Sequence, residues 1–284
     1  MNHDVVVLGL PSSGKTTFLA ALWHLVTASE VESALTLVSL RAGEAAHLHA
    51  LAERWLRAQE QDRTRHSENR TVTMLLRAGD APQFTLSFPD VAGESFQLMW
   101  ESRECDATLQ NLLQSAGVML FVHADTIKSP GWIIDDAKEY ASLGLPVEEG
   151  APTSWHPRVA PTQVQLVDLL QSLQKKPLDV GPRRLVVILS AWDTAIGEGL
   201  SPQAYLERYL PLLDQYLSYG LDDGWEVRIF GVSAQGGKYD EISAAPSEDA
   251  ERMRAMDVPS HRILVVDGEA TANDLTAPIH WLLS

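Results

Sequence analysis

The segment Gly9-Leu10-Pro11-Ser12-Ser13-Gly14-Lys15-Thr16 has the spacing G-x-x-x-x-G-K-[ST], and its chemistry is the cradling of a polyphosphate. Such a loop turns successive backbone N–H groups inward and opens onto a helix N-terminus, so it holds a phosphate without any side-chain anion receptor. Lys15 reaches the β and γ oxygens, the Thr16 hydroxyl ligates Mg²⁺, and Pro11, Ser12, Ser13, Gly14 and Thr17 line the nucleotide. The flanks agree with this reading. Asp4 to Leu8 is a short β-branched run, and Thr17 to Ser29 carries Phe18, Leu19, Leu22, Leu25 and Val26 at helical spacing, giving strand, loop, helix.

A second acidic motif, Asp90-Val91-Ala92-Gly93-Glu94, follows an apolar strand. Asp90 is expected to order the hydration shell of the metal. Gly93 is expected to offer its N–H to a γ-phosphate, because no side chain blocks close approach, and Glu94 to orient water. Ser190-Ala191-Trp192-Asp193 and Ser233-Ala234-Gln235 end two further strands. A carboxylate at Asp193 accepts from both N1–H and N2–H of guanine, a donor pair adenine lacks. The backbone N–H of Ala234 suits O6. Ser190, Trp192, Ser233 and Gln235 complete the expected base pocket. Thr64, in the polar stretch before the second strand, is the chosen second metal ligand of the triphosphate state, with Thr71 its rival. Arg63 or Arg65 is a solvated loop residue or an arginine acting in cis.

Positioning these groups requires alternating strands and helices. Strands are expected over Asp4–Gly9, Thr71–Arg77, Phe84–Pro89, Gly117–His123, Arg184–Ser190 and Glu226–Val232. Helices are expected over Lys15–Ser29, Arg41–Gln59, Glu101–Ser115, Pro161–Lys175, Pro202–Tyr219 and Leu275–Leu283. The fold class is α/β, a doubly wound, mostly parallel six-stranded sheet in one domain spanning residues 1–284, with insertions at about 30–70 and 126–182. In the second insertion Val164, Val167, Leu170 and Leu173 form the expected apolar stripe, and Trp132 and Trp155 are read as a small satellite core.

Composition narrows the function classes. Hydrophobic residues make up 45% and charged residues 21%, as in a globular protein. A net charge of −16 with no basic cluster argues against nucleic acid as partner and favours protein partners. Cys105 stands alone, so no intrachain disulfide forms. No signal-peptide pattern and no membrane-length apolar run is visible, and a cytoplasmic location is expected. The histidines lack zinc-type spacing with Cys or carboxylates.

Together the four sites resemble the G1, G3, G4 and G5 elements of the Ras-like P-loop GTPase superfamily. The stretches Leu8 to Trp23, Asp90 to Phe96, Pro161 to Val164, Gly231 to Gly237 and Leu275 to Ile279 resemble more narrowly the bacterial double-GTPase family of conflict and defence systems. That resemblance implies the small-GTPase type of P-loop sheet, GTP and GDP with Mg²⁺ as ligands, and a nucleotide-controlled switch acting on partner proteins. Two departures stand out. Ser190-Ala191-Trp192-Asp193 replaces N-K-x-D, removing the lysine that packs on the base. Glu94 replaces the usual glutamine, and a carboxylate there repels the γ-phosphate unless a cation offsets it, so slow intrinsic turnover is expected. A non-hydrolysing nucleotide-dependent scaffold and an ATP-using P-loop enzyme remain as alternatives.

Overall fold

The computed structural model describes residues 4–41, 43–60, 71–89, 93–130, 156–240 and 247–284. Strands β1 (Val5–Gly9), β2 (Thr36–Leu40), β3 (Val72–Arg77), β4 (Phe84–Phe88), β5 (Gly117–His123), β6 (Arg184–Ser190), β7 (Glu226–Ser233), β8 (Leu264–Asp267) and β9 (Ala270–Ala272) join in one sheet. The order is β2-β3-β4-β1-β5-β6-β7-β8-β9. Strands β4, β1, β5, β6 and β7 run parallel, while β2, β3, β8 and β9 pair antiparallel at the two edges.

The α/β, mostly parallel architecture is as expected, and the six expected strands form its centre. The sheet is nevertheless wider, at nine strands among the described residues. The first addition, β2, lies inside the 30–70 insertion and is largely exposed on the sheet edge, so its residues carry no buried alternation to read. The other two form a short hairpin around Gly268, whose φ of +60° suits a tight turn, and the Asp267-Gly268 pair was a readable hairpin signal.

Alternation along the central strands feeds a core on each face. Val5, Val7, Met119 and Phe121 point to one side, and Val6, Leu8, Val118, Leu120 and Val122 to the other. Helix α1 (Lys15–Ala28) fills the first side with Phe18, Leu19, Leu22 and Leu25, and α2 (Ala45–Leu56) packs on it through Leu48, Ala52 and Trp55. The second side holds α3 (Glu94–Ser102), α4 (Ala107–Leu113) and α5 (Thr162–Leu173).

Several helix limits differ from expectation for local reasons. The helix expected over Glu101–Ser115 is two, broken at Arg103, which adopts a left-handed φ of +64°, and restarted by the Asp106 carboxylate accepting from the Leu109 N–H. The one expected over Pro202–Tyr219 breaks before Pro211 into α7 (Pro202–Tyr209) and α8 (Pro211–Tyr219). A short helix α6 (Trp192–Ala195) and α9 (Glu248–Arg254) were not anticipated, and α10 (Ala277–Trp281) is shorter than expected. In α5 the inward stripe is Leu166, Leu169, Leu170 and Leu173, leaving Val164 and Val167 half-buried. It buries Gln163 and Gln165 as well. Their amides are satisfied, Gln163 accepting from the Leu212 N–H at 2.8 Å and Gln165 donating to the Ala160 carbonyl at 2.8 Å. Trp132 and Trp155 lie outside the described residues.

Candidate functional site: a nucleotide cavity at the carboxyl ends of the parallel strands

The loop between β1 and α1 leaves the sheet at Gly9 and enters the helix at Gly14, whose φ is +87°. A Cβ on Gly14 would stand 2.7 Å from the Ser190 Oγ, so only glycine lets the loop lie against the end of β6. Ser190 fixes that contact, its hydroxyl donating to the Ser13 carbonyl at 2.8 Å. Lys15 is buried, and its ammonium donates to the carbonyls of Gly9 at 2.8 Å and Leu10 at 2.9 Å and to the Ser13 hydroxyl at 3.0 Å. These acceptors offset the cost of burying the charge and hold Nζ at the loop mouth.

Gly93 reaches the same point from β4. With φ +83°, it caps α3, and a Cβ there would come within 2.6 Å of the Lys15 Nζ and 2.7 Å of the Gly9 carbonyl oxygen. Glu94 is thereby the first residue of α3. Asp90, Thr64, Arg63 and Arg65 lie outside the described residues. The rival Thr71 is engaged elsewhere, its hydroxyl donating to the Pro89 carbonyl at 3.1 Å beside the β3–β4 ladder.

Beside the loop lies a cavity of about 710 Å³, bordered by Gly14, Thr17, Ser190, Asp193, Ala234 and Gln235. Ser233 sits beneath it and orients the carboxylate. Its hydroxyl donates to Asp193 Oδ1 at 2.5 Å and accepts from the Gly236 N–H at 3.0 Å. Ala234 is pinned through its carbonyl, which accepts from the Trp55 indole N–H at 2.7 Å. Trp55 in turn lies under the buried Arg262 guanidinium, 3.5 Å from the ring centroid. Helix α2 therefore anchors a loop that lines the cavity in addition to packing on α1.

Trp192 is a correction. Its ring is 1% exposed, stacks edge-on against Tyr205, and lies so close to Gly231 that a Cβ there would approach it at 2.4 Å. The ring belongs to the core beneath the pocket, because an indole at a strand end gains more from burial than from a solvated rim. Pro11 and Ser12 also face away from this cavity and line a smaller one on the other side of the loop. Ala191, with φ +52°, lines the main cavity at the position of the missing lysine.

Sequence reasoning missed several lining groups. His123 and Asp125 follow β5 directly, at the strand ends where open α/β sheets bind ligands, and that position was the available signal. Burial holds the His123 imidazole below the ordinary histidine range, opposed by the nearby Asp125 and Asp193 carboxylates, and its Nδ1 accepts from the Asp125 N–H at 3.2 Å. Phe18 and Phe121 supply an apolar wall, while Lys238 and Arg252 come from distant segments that nothing local marked out.

The donor set suits Mg²⁺ held mainly by phosphate oxygens. Thr16 follows Lys15 in the first turn of α1, and among the described residues no cluster of three His, Cys, Asp or Glu forms an all-protein metal cage. Among the described residues no helix is long and apolar enough to cross a membrane.

A search of curated proteins gives no match. Among solved structures, the chain is similar to the Saccharomyces cerevisiae Ski7 GTPase-like domain bound to GDP and inorganic phosphate, at 13% identity and a TM-score of 0.43. The match covers 89% of this chain and 49% of that one, so the chain spans about half the length of the Ski7 structure. It is also similar to the signal recognition particle receptor SRb-GTP/SRX complex from Chaetomium thermophilum, at 13% identity, a TM-score of 0.37, and 88% and 95% coverage. The Double-GTPase 1 family model matches residues 6–282, and with a phosphate loop, a D-x-x-G glycine at its lysine and a carboxylate facing the adjoining cavity, this chain belongs to the Double-GTPase 1 family.

Proposed function

We propose that this chain binds GTP and GDP and hydrolyses GTP, slowly in isolation, as one nucleotide-controlled unit whose conformation is read by protein partners. The supporting observation is the Asp193 carboxylate, oriented by Ser233 toward a cavity continuous with Gly14 and Thr17. A guanine ring there presents N1–H and N2–H to Asp193, with the Ala234 N–H toward O6, while the loop amides and Lys15 hold the phosphates. Mg²⁺, held by Thr16 with Asp90 and Thr64 as further candidates, would supply charge neutralisation between the β- and γ-phosphates. Gly93 touches the loop at Lys15, so a γ-phosphate that pushes on Gly93 moves α3, and this is the basis of the switch reading. The setting in a bacterial conflict or defence system follows from the family resemblance.

The test is the nucleotide that co-purifies, read by chromatography after denaturation, together with phosphate release by wild type, Lys15→Ala and Glu94→Ala. Guanine nucleotide and Lys15-dependent release are expected. Adenine nucleotide would move the chain to the ATP-using class, and guanine nucleotide without release would make it a scaffold.

A further inference from the structure

On the side of the phosphate loop away from the base lies a second cavity of about 380 Å³. Pro11 and Ser12 form its loop wall, Gln97 comes from α3, Lys128 from just after β5, and Arg158 from the turn Pro157–Val159 that precedes α5. No Asp or Glu lines it among the described residues, although the chain carries a net charge of −16. The pocket sets Lys128 and Arg158, the latter paired with Glu101 at its rim, against the outer residues of the phosphate loop, an arrangement suited to phosphoryl oxygens.

Arg158 is positioned in a way that ties it to the hydrolysis side of the site. The turn Pro157–Val159 docks on α3, where the Trp100 indole N–H donates to the Pro157 carbonyl at 2.8 Å. Arg158 Nε donates to Glu101 Oε1 at 2.6 Å, and the Lys128 ammonium donates to the Arg158 carbonyl at 3.3 Å. The Glu94 carboxylate, about two turns earlier on α3, acts on the guanidinium more weakly than Glu101 does.

We propose that Arg158 is a catalytic arginine supplied in cis by the second insertion, contacting the terminal phosphoryl group from the Pro11–Ser12 side. This rests on the GTPase reading of the main cavity. In the step, a water oxygen forms a bond to the γ-phosphorus as the bond to the β,γ-bridging oxygen breaks. The electron pair leaves with GDP, and one water proton passes to the released dihydrogen phosphate. Arg158 neutralises charge on the phosphoryl oxygens, turning to them out of its exposed pairing with Glu101.

The experiment uses the full chain with Mg²⁺ and GTP. Phosphate release and the Kd of a fluorescent GTP analogue are measured for wild type, Arg158→Ala, Arg158→Lys and Glu101→Gln. Arg158→Ala is expected to lower kcat by about 100-fold or more with Kd within about threefold. Arg158→Lys is expected to recover less than about a tenth, since a point charge does not replace a planar fork. Glu101→Gln, which frees the guanidinium without removing it, is expected to keep at least about a third of the rate. GDP with aluminium fluoride, mimicking the transferred phosphoryl, should form a stable complex with wild type and not with Arg158→Ala. Equal slowing by Arg158→Ala and Glu101→Gln would show that Arg158 only braces α3, and unchanged kcat in Arg158→Ala would overturn the proposal outright. A wild-type chain that binds guanine nucleotide yet releases no phosphate overturns this proposal and hydrolysis together, whereas failure to bind guanine nucleotide overturns the underlying reading first.

Discussion

Gly93 and Lys15 are locked together by sterics, since a single methyl group on Gly93 would stand 2.6 Å from the Lys15 Nζ. The residue that caps α3 and the lysine of the loop after β1 thus share one contact point. Gly93→Ala must also hold the left-handed φ of +83°, which costs an L-residue about 1 kcal/mol before any clash is relieved. The expected outcome is at least a tenfold drop in single-turnover GTP cleavage, with GDP affinity changed far less. Stopped-flow phosphate release alongside a GDP titration checks it.

Ser233 contributes through Asp193. Removing its hydroxyl in Ser233→Ala strips the carboxylate of the donor that orients it and leaves the Gly236 N–H without that acceptor. A loss of about 1.4 kcal/mol corresponds to a tenfold rise in the Kd for GDP. Inosine diphosphate lacks the N2 amino group and should lose less than about threefold. Calorimetric titration of both nucleotides decides, and equal losses would detach Asp193 from base reading.

Ala191 lines the cavity at the position that N-K-x-D gives to lysine, and its left-handed φ of +52° is already borne by an L-residue with a Cβ. Ala191→Lys therefore adds no backbone strain. It is expected to tighten GDP binding about fivefold by adding apolar contact over the ring. No gain in a fluorescence titration would mean that the ring lies elsewhere in the cavity.

Trp55 links α2 to the cavity-lining Ala234 through its bond to that residue's carbonyl. Trp55→Phe keeps an aromatic face for Arg262 but leaves that carbonyl without the indole donor. Stability is expected to fall by about 1–3 kcal/mol in denaturant unfolding, with weaker nucleotide binding as the loop loosens. Intact nucleotide affinity in a destabilised variant would confine Trp55 to packing.

His123 gives a pH signature. Its folded-state pKa is lowered by burial, so protons bind the unfolded chain more tightly than the folded one. Its neutral form is favoured by the fold, and its contribution to stability is intact above the ordinary histidine pKa of about 6.5. As pH falls through that value toward the lower folded pKa, stability declines. His123→Gln should flatten this part of the stability profile, and an unchanged slope below pH 6.5 would assign the decline to other groups.

The phosphate loop was legible because its chemistry is carried by backbone and by neighbours in sequence. Five consecutive parallel strands were legible because burial on both faces leaves continuous apolar runs such as Val118 to Val122. Edge strands were not. Thr36–Leu40 buries little, so neither period nor composition marks it, and Ala270–Ala272, equally exposed, is marked only by the Asp267-Gly268 pair before it. Trp192 misled for a related reason, because a residue type at a motif position says nothing about which side of the chain its ring will choose.

By itself the sequence marked the loop between β1 and α1, the glycine at position 93 that meets it, and Asp193 beside the adjoining cavity, since each lies within a few residues of a strand end. Only the tertiary structure decided that Trp55 anchors Ala234, that Ser233 orients Asp193, that Trp192 turns into the core, and that Lys128 and Arg158 converge on Pro11 and Ser12. Those relations join residues from separate elements, up to 179 positions apart, and contacts of that range are set by how layers pack around a sheet, which no local pattern encodes.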